Sequence, residues 1–294
     1  LDKYKKNSEV ISADMDKESI SKYIADDFLQ LPYLKDENFQ KIIEILKAKQ
    51  INIVLPSRDG ELEFWSRNCE KFKKENINVI VSNEKSVLKC LDKFEFYKFG
   101  TLNGFNFVPS YIDINLLETK KYVVKERYGS GSSLLGLNLS KDEALRHAKD
   151  LKHPLFQPFI EGQEISIDAW ISKSNKVKGL VMRKRDLVVN GESQVTTTFN
   201  DLEIEKKAID VLERIKLKGP VVLQAIIDVN KNIIFLECNS RFGGGSTTSI
   251  EAGLDSFYWS ILEIEGHNLD EYNFNLSNRK IKKIRIQEDI FINP

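Results

Sequence analysis

The stretch Glu237-Cys238-Asn239-Ser240-Arg241-Phe242-Gly243-Gly244 sets an acid, an amide and a guanidinium at alternate positions and runs into glycine. Residues two apart on a strand share a face, so as a strand end it aims Glu237 and Asn239 the same way. The apolar run from Ile233 to Glu237 reads as that strand. Val221 to Val229 reads as a second, with Gln224 and Asp228 on one face. Two adjacent strands then direct Gln224, Glu237 and Asn239 at one point. These groups offer only oxygen. Hard oxygen donors with few carboxylates suit Mg²⁺, which takes its remaining ligands from phosphate and water. Arg241, two residues on, can neutralise a phosphate. The plainer reading is a polar strand end with Glu237 paired to Arg241, and the motif alone leaves both open.

Upstream, Tyr122-Val123-Val124-Lys125 reads as a strand ending in a lysine, followed by Tyr128-Gly129-Ser130-Gly131-Ser132-Ser133. A lysine supplies a point charge for phosphate, and glycine–serine backbone supplies N–H donors that close over it. No Gly-Lys-Ser/Thr follows, so this is not a P-loop, and an ordinary loop explains it as well. Gln157-Pro158-Phe159-Ile160-Glu161-Gly162-Gln163-Glu164 runs from an apolar strand through a proline hinge to a carboxylate. Such backbone can face an adenine edge, and Glu164 can accept from ribose hydroxyls; a simple crossing turn is the alternative. Arg183-Lys184-Arg185 puts Arg183 and Arg185 on one strand face, either toward a cleft that takes an acceptor carboxylate or phosphate, or as a solvated basic edge.

The 294 residues carry 44 Lys+Arg against 44 Asp+Glu, so no global charge attracts nucleic acid or anionic lipid. With 41% hydrophobic residues the chain has material for a real core. No apolar run suits a membrane span or a signal peptide. Cys69, Cys90 and Cys238 are odd in number and far apart, which fits reduced thiols of a cytoplasmic protein.

The first part of the chain alternates strand and helix patterns: Val10 to Ala13, a helix capped by Asp36, Ile51 to Leu55, a helix from Glu61 to Lys74, and Ile77 to Val81. That order argues for a parallel sheet with crossover helices. The pattern before Val10 reads as the end of a helix feeding it, so a doubly wound sheet here would lack its first strand; a smaller sheet is the other reading. After Pro109 come a capping box at Ser140-Lys141-Asp142-Glu143, strands over Leu155 to Phe159 and Ile165 to Ile171, a helix from Leu202 to Ile215, and another around Phe257 to Ile264.

Taken together, these motifs resemble the ATP-grasp superfamily, above all single-chain proteins similar to half of a carbamoyl-phosphate synthase large subunit. Asp14-Met15-Asp16, Pro56 to Leu62 and Asp92-Lys93 resemble its N-terminal part, and Glu237 to Arg241 its Glu-x-Asn-x-Arg signature. The resemblance implies a mixed α/β and α+β chain: a parallel-sheet pre-ATP-grasp domain over 1–110, a lid lobe over 111–157 and a C-terminal lobe over 158–294, with ATP between the lobes. It implies Lys93 and Lys125 on the phosphates, with Gly129, Ser130, Gly131, Ser132 and Ser133 folding over them. Gln157 and the backbone of Ile160 would read adenine, and Glu164 would bind ribose. Gln224, Glu237 and Asn239 would hold two Mg²⁺, or Mn²⁺ in their place, and Arg241 would stabilise the transferring phosphoryl group. Gln157 and Gln224 stand where carboxylates are common, and Ser240 replaces a common Pro.

The implied chemistry is phosphorylation of a carboxylate followed by attack of an amine on the acyl phosphate. Single-step carboxylate–amine ligation fits the length better than full carbamoyl-phosphate synthesis. A carboxylate or bicarbonate kinase, a carboxylase, or a non-catalytic nucleotide-binding module would show much the same ATP site. The expected partners are a small-molecule acid and amine, with no nucleic acid and no membrane. Family members often form homodimers.

Overall fold

The computed structural model describes residues 8–129, 134–269, 272–277 and 279–292. The helical start expected before Val10 and the loop residues Ser130, Gly131, Ser132 and Ser133 therefore lie outside the described residues.

The N-terminal part holds two parallel strand pairs, β1 (Ile11–Asp14) with β2 (Asp27–Gln30), and β3 (Ile53–Val54) with β4 (Asn78–Val79). Helices α1 (Phe39–Ala48) and α2 (Asp59–Lys74) pack Ile42, Leu46, Trp65 and Phe72 into their common core. The sheet is thus parallel, as expected, but in two small pieces. Asp36 does not cap α1: it opens a short 3₁₀ turn, and its carboxylate instead accepts from Asn68 Nδ2 of α2 at 3.2 Å. Helix α2 starts earlier than the sequence pattern suggests because Glu61 Oε1 accepts from the N–H groups of Ser57 and Arg58, both at 2.8 Å, closing its first turn.

Two short helices, α3 (Glu84–Leu91) and α4 (Lys93–Leu102), meet at Asp92. Its carboxylate caps α4 by accepting from Phe94 and Glu95 N–H at 3.0 and 3.2 Å. A three-stranded antiparallel sheet follows, ordered β6 (Gly136–Leu139), β5 (Tyr122–Glu126), β7 (Pro154–Pro158). Helix α5 (Lys141–His147) lies against it, held at its start by the expected capping box of Ser140 and Glu143.

The largest element is a six-stranded sheet. Its strands are β8 (Gly162–Ile171), β9 (Val177–Val189), β10 (Glu192–Phe199), β11 (Gly219–Asp228), β12 (Ile233–Asn239) and β13 (Lys282–Ile284), in the order β12-β11-β8-β9-β10-β13 and antiparallel throughout. One face is apolar. Ile165, Ile167, Ala169, Met182, Leu223 and Ala225 pack there on α6 (Leu202–Ile215), whose Ile204, Ala208, Val211, Leu212 and Ile215 line one stripe. At about 1.5–3 kcal/mol per fully buried large apolar side chain, this face holds the sheet rigid. The other face is apolar only where α8 (Ser256–Ile264) covers it, around Trp170, Val181 and Trp259. Elsewhere it carries Gln224, Ser166, Glu164, Asp168, Arg183 and Arg185 on registered neighbours.

A bulge sets which face β12 offers. Gln224 pairs with Glu237, but its neighbour Ala225 pairs with Phe235, leaving Leu236 as the extra residue. Ile233, Phe235 and Cys238 therefore enter the apolar core, and Glu237 turns to the polar face beside Gln224.

Candidate functional site

The polar face of β11 and β12 looks toward the three-stranded sheet. Lys125, at the end of β5, approaches Glu237 with Nζ 3.9 Å from Oε2. Lys93, the first residue of α4, donates from Nζ to the carbonyl of Gly129 at 2.6 Å, and its own N–H donates to the carbonyl of Arg127 at 3.2 Å. Arg127 in turn grips Asp92, with Nε 2.7 Å from Oδ1 and Nη2 2.5 Å from Oδ2. The start of α4 is thus fixed to the end of β5, and both lysines lie close enough to Glu237 to act on its charge.

Electrostatics follow from that placement. Burial pushes the Lys125 ammonium below its usual range; Glu237 opposes the shift and Lys93 adds to it. For Glu237, burial pushes the carboxyl up, but Lys125, Lys93, Arg185 and the Asn239 amide together hold it below the usual carboxylate range. Glu237 is therefore ionised, among three cations.

Arg185 ties the neighbouring strands together. It donates to Gln224 Oε1 at 3.2 Å, to the Gly191 carbonyl at 2.6 Å and to Ser193 Oγ at 3.2 Å, and it pairs with Glu164 at 3.1 Å. Arg185 and Glu164 thus stand at the site, each already engaged with the other. Arg183 is placed differently. It is buried, and its Nε meets Asp168 Oδ2 at 2.6 Å. Asp168 also accepts from Ser246 Oγ at 2.5 Å and Ser249 Oγ at 2.8 Å, both on α7 (Ser246–Glu251).

Arg241 reaches across to the N-terminal part. Its Nε lies 2.8 Å from Asp59 Oδ1, its Nη2 bonds Oδ2 of the same carboxylate, and Nη1 donates to the Phe242 carbonyl at 2.8 Å. The expected alternative, Glu237 paired to Arg241, gives way to this pair because Asp59 opens α2 directly opposite. Gln157 is buried in β7, its Nε2 donating to Ser110 Oγ at 2.7 Å. Ile160 lies in the connection from β7 to β8. Asp228 is not in the site: it caps the β11–β12 turn, accepting from Asn230 and Asn232 N–H at 2.9 and 2.7 Å.

Among the described residues no group of three or more His, Cys, Asp or Glu is placed to hold a metal. The oxygen donors of Gln224, Glu237 and Asn239 converge with one carboxylate only. Such a set fits a divalent cation that arrives with phosphate oxygens, and does not fit an all-protein metal cage. No helix of the described residues is long and apolar enough to cross a membrane.

The sequence marks Asp59, with Ser57, Arg58 and Glu61, as a candidate for substrate recognition or a plain helix start, and it gives no sign of the Arg241 pairing; sequence reasoning missed Asp168, Lys283 and Arg285. Asp59 had the signal of a helix start at a strand's C-terminal edge; Asp168 sits inside an apolar strand, where an isolated acid was the only sign.

Residues 150–288 match a family model described as ATP-grasp in the biosynthetic pathway with Ter operon, and residues 1–80 match the PylC-like N-terminal domain. No curated protein matches the chain. Among solved structures, the biotin carboxylase domain dimer of Hydrogenobacter thermophilus 2-oxoglutarate carboxylase, in complex with MgADP, ADP and bicarbonate, is similar at 16% identity and a TM-score of 0.73. That match covers 90% of this chain and 65% of the other, so this chain spans less than two thirds of it. N5-carboxyaminoimidazole synthetase from Staphylococcus aureus, complexed with ADP, matches at 16% identity and a TM-score of 0.72, over 91% of this chain and 73% of that one. L-amino acid ligase from Bacillus licheniformis matches at 16% identity and a TM-score of 0.58, over 76% and 57%. With the Glu237–Arg241 signature facing Lys125 across two sheets, and with these matches, the chain has the ATP-grasp fold with an N-terminal domain, residues 1–80 of which match the PylC-like model.

Proposed function

We propose that the chain is an ATP- and Mg²⁺-dependent ligase that joins a carboxylate to an amine through an acyl phosphate. One observation carries the reading: Lys125, Lys93 and Arg185 act on Glu237 with Glu164 as the second carboxylate among them, leaving one cation in surplus beside an oxygen-only donor set. A bound polyphosphate with its cation would balance that surplus. The fold likeness to ADP-bound structures supports the same placement.

In this reading ATP lies between the lobe of residues 111–157 and that of 158–294, and 1–110 is the pre-ATP-grasp domain. Lys93 and Lys125 hold the phosphates. Gln157, with Nε2 committed to Ser110, offers Oε1 to the adenine amine. The Ile160 backbone reads the ring edge, and Glu164 exchanges Arg185 for the ribose. Gln224, Glu237 and Asn239 hold Mg²⁺, which when bound neutralises charge on the transferring group. Asp59 fixes the Arg241 guanidinium before reaction, so its remaining N–H groups meet developing charge without reorganisation. Arg185 stands between the metal ligand Gln224 and the acceptor side. Substrates are a small acid and a small amine.

Thermal unfolding with ATP, with and without Mg²⁺, tests this. At about 100 times Kd, binding adds about 2.7 kcal/mol. A Mg²⁺-dependent stabilisation that disappears in Glu237→Ala supports the site, and none at millimolar Mg·ATP in the wild type overturns it. ADP release on adding carboxylates, or bicarbonate alone, then separates a ligase from a bicarbonate kinase.

A further inference from the structure

The backbone that follows Arg241 crosses the polar face of the large sheet. Gly243 lies on β11: a Cβ there would stand 3.0 Å from Val222 Cγ2. Gly245 lies on β9: a Cβ there would stand 2.5 Å from Cζ and Nη1 of Arg183, so only glycine lets the chain rest on that guanidinium. Between them, the carbonyl of Gly244 accepts from Lys283 Nζ at 3.0 Å and from Arg285 Nη2 at 2.8 Å. Both cations come from the end of the chain, Lys283 on β13 and Arg285 just after it.

Lys283 Nζ also donates to Thr247 Oγ1 at 3.2 Å, and two cations sharing one neutral carbonyl are an arrangement better suited to an anionic oxygen. Beneath them Arg183 Nη1 is buried with no hydrogen-bond partner among the described residues. The carboxylates nearby do not cancel the charge. Asp168 is shared by Arg183 and two serines, and Glu192 is taken by Arg285 at the rim. Three cations therefore face two carboxylates. Burial pushes the Lys283 ammonium below its usual range, and Arg285 and Arg183 add to that shift.

We propose that Lys283 and Arg285, gathered on the Gly243–Gly245 crossing with the buried Arg183 charge beneath it, bind a second anionic group of the acceptor, a carboxylate or phosphate separate from the carboxylate that reacts. The Gly244 carbonyl holds the place of the ligand oxygen until the ligand arrives. The site rests on the ligase reading for its connection to chemistry. Arg183 on β9 lies two strands from Gln224 on β11, about 10 Å at ordinary strand spacing. That span suits a small dicarboxylate or phosphorylated acid with one end at the metal ligands and the other at the Gly244 carbonyl, where Lys283 and Arg285 reach back from β13 over the sheet.

The full chain, saturated with Mg²⁺ and a non-hydrolysable ATP analogue so that the nucleotide site is filled, is titrated with succinate or inorganic phosphate while thermal unfolding is followed. Sodium chloride at matched ionic strength is the control. We expect a saturable rise in Tm with one of the two anions, weakened by about tenfold or more in Lys283→Gln and Arg285→Gln, the loss expected of charge-assisted bonds, and unchanged in Lys206→Gln on exposed α6. The anion that acts shows which group the site takes. No rise beyond the chloride control, or an equal rise in Lys283→Gln and Arg285→Gln, overturns the proposal. The analogue's own effect is read first in every variant. If it is absent while the anion effect is present and sensitive to Lys283, the ligase reading fails and the anion site stands.

Discussion

Asp168 and Glu237 are carboxylates on the same face of the same sheet, two strands apart, and their surroundings are opposite. Asp168 is buried and saturated, with one guanidinium and two hydroxyls at 2.5 to 2.8 Å. Glu237 has its lysine at 3.9 Å and feels three cations. A carboxylate with both oxygens closely bonded is scaffold, here pinning α7 and the glycine crossing to the sheet. A carboxylate among excess positive charge, held loosely, has room for something more. How closely the carboxylate's own oxygens are bonded, not the mere presence of an ion pair, separates the two roles.

The comparison breaks most visibly at Asp168. Asp168→Ala leaves Arg183 buried and unpaired, which costs about 3–5 kcal/mol; urea unfolding showing a loss below about 1 kcal/mol would put Asp168 among ordinary surface acids. Glu237→Gln should act the other way round. Stability without nucleotide should stay within about 1 kcal/mol of wild type, while ADP release with a competent acceptor falls about 10²–10³-fold. Asp59→Asn sharpens the picture one step out. It loosens Arg241, so turnover should fall about tenfold, or about 1.4 kcal/mol, with nucleotide-induced stabilisation unchanged; a lost nucleotide effect would mean that Asp59 shapes the ATP site itself.

Titration gives a smaller, signed test. The Glu237 carboxyl in the folded protein is held below its ordinary 4.5. Its contribution to stability is complete above pH 4.5 and is lost as pH falls through the lowered value. The Lys125 ammonium is also lowered, from 10.5, so between that lowered value and pH 10.5 the unfolded chain binds more protons. Stability therefore rises with pH in that window, and Lys125→Met should flatten the rise. Smallest of all, Lys207→Ala removes an exposed helical pair with Glu203 and should change stability by less than about 0.5 kcal/mol.

Much of this was legible in the sequence. The helix Leu202–Ile215 appears with the expected bounds because its apolar stripe is long and periodic and Asp201 caps it by accepting from Glu203 and Ile204 N–H. The Ser140 capping box is local, and it forms. Gln224 beside Glu237 came from spacing on two neighbouring strands. What stayed hidden is non-local. Asp59 meets Arg241 across 182 positions, and no local pattern marks that pairing. Lys283 and Arg285 look like any basic tail until β13 closes the sheet edge. Asp36 carries a good capping side chain, and only the approach of Asn68 shows why it is spent elsewhere.

The extra residue in β12 bears on how reliably the chain finds its fold. Ile233, Phe235 and Glu237 have the same parity, so a straight pairing of this strand would carry Glu237 inward with Ile233 and Phe235 and turn Cys238 out. Burying an unpaired carboxylate in that apolar layer is far too costly to persist. The acid at the proposed nucleotide site thus also rejects the wrong register, and the bulged strand is the one arrangement in which core and site are both content. Folding fidelity and chemistry are written into the same side chain.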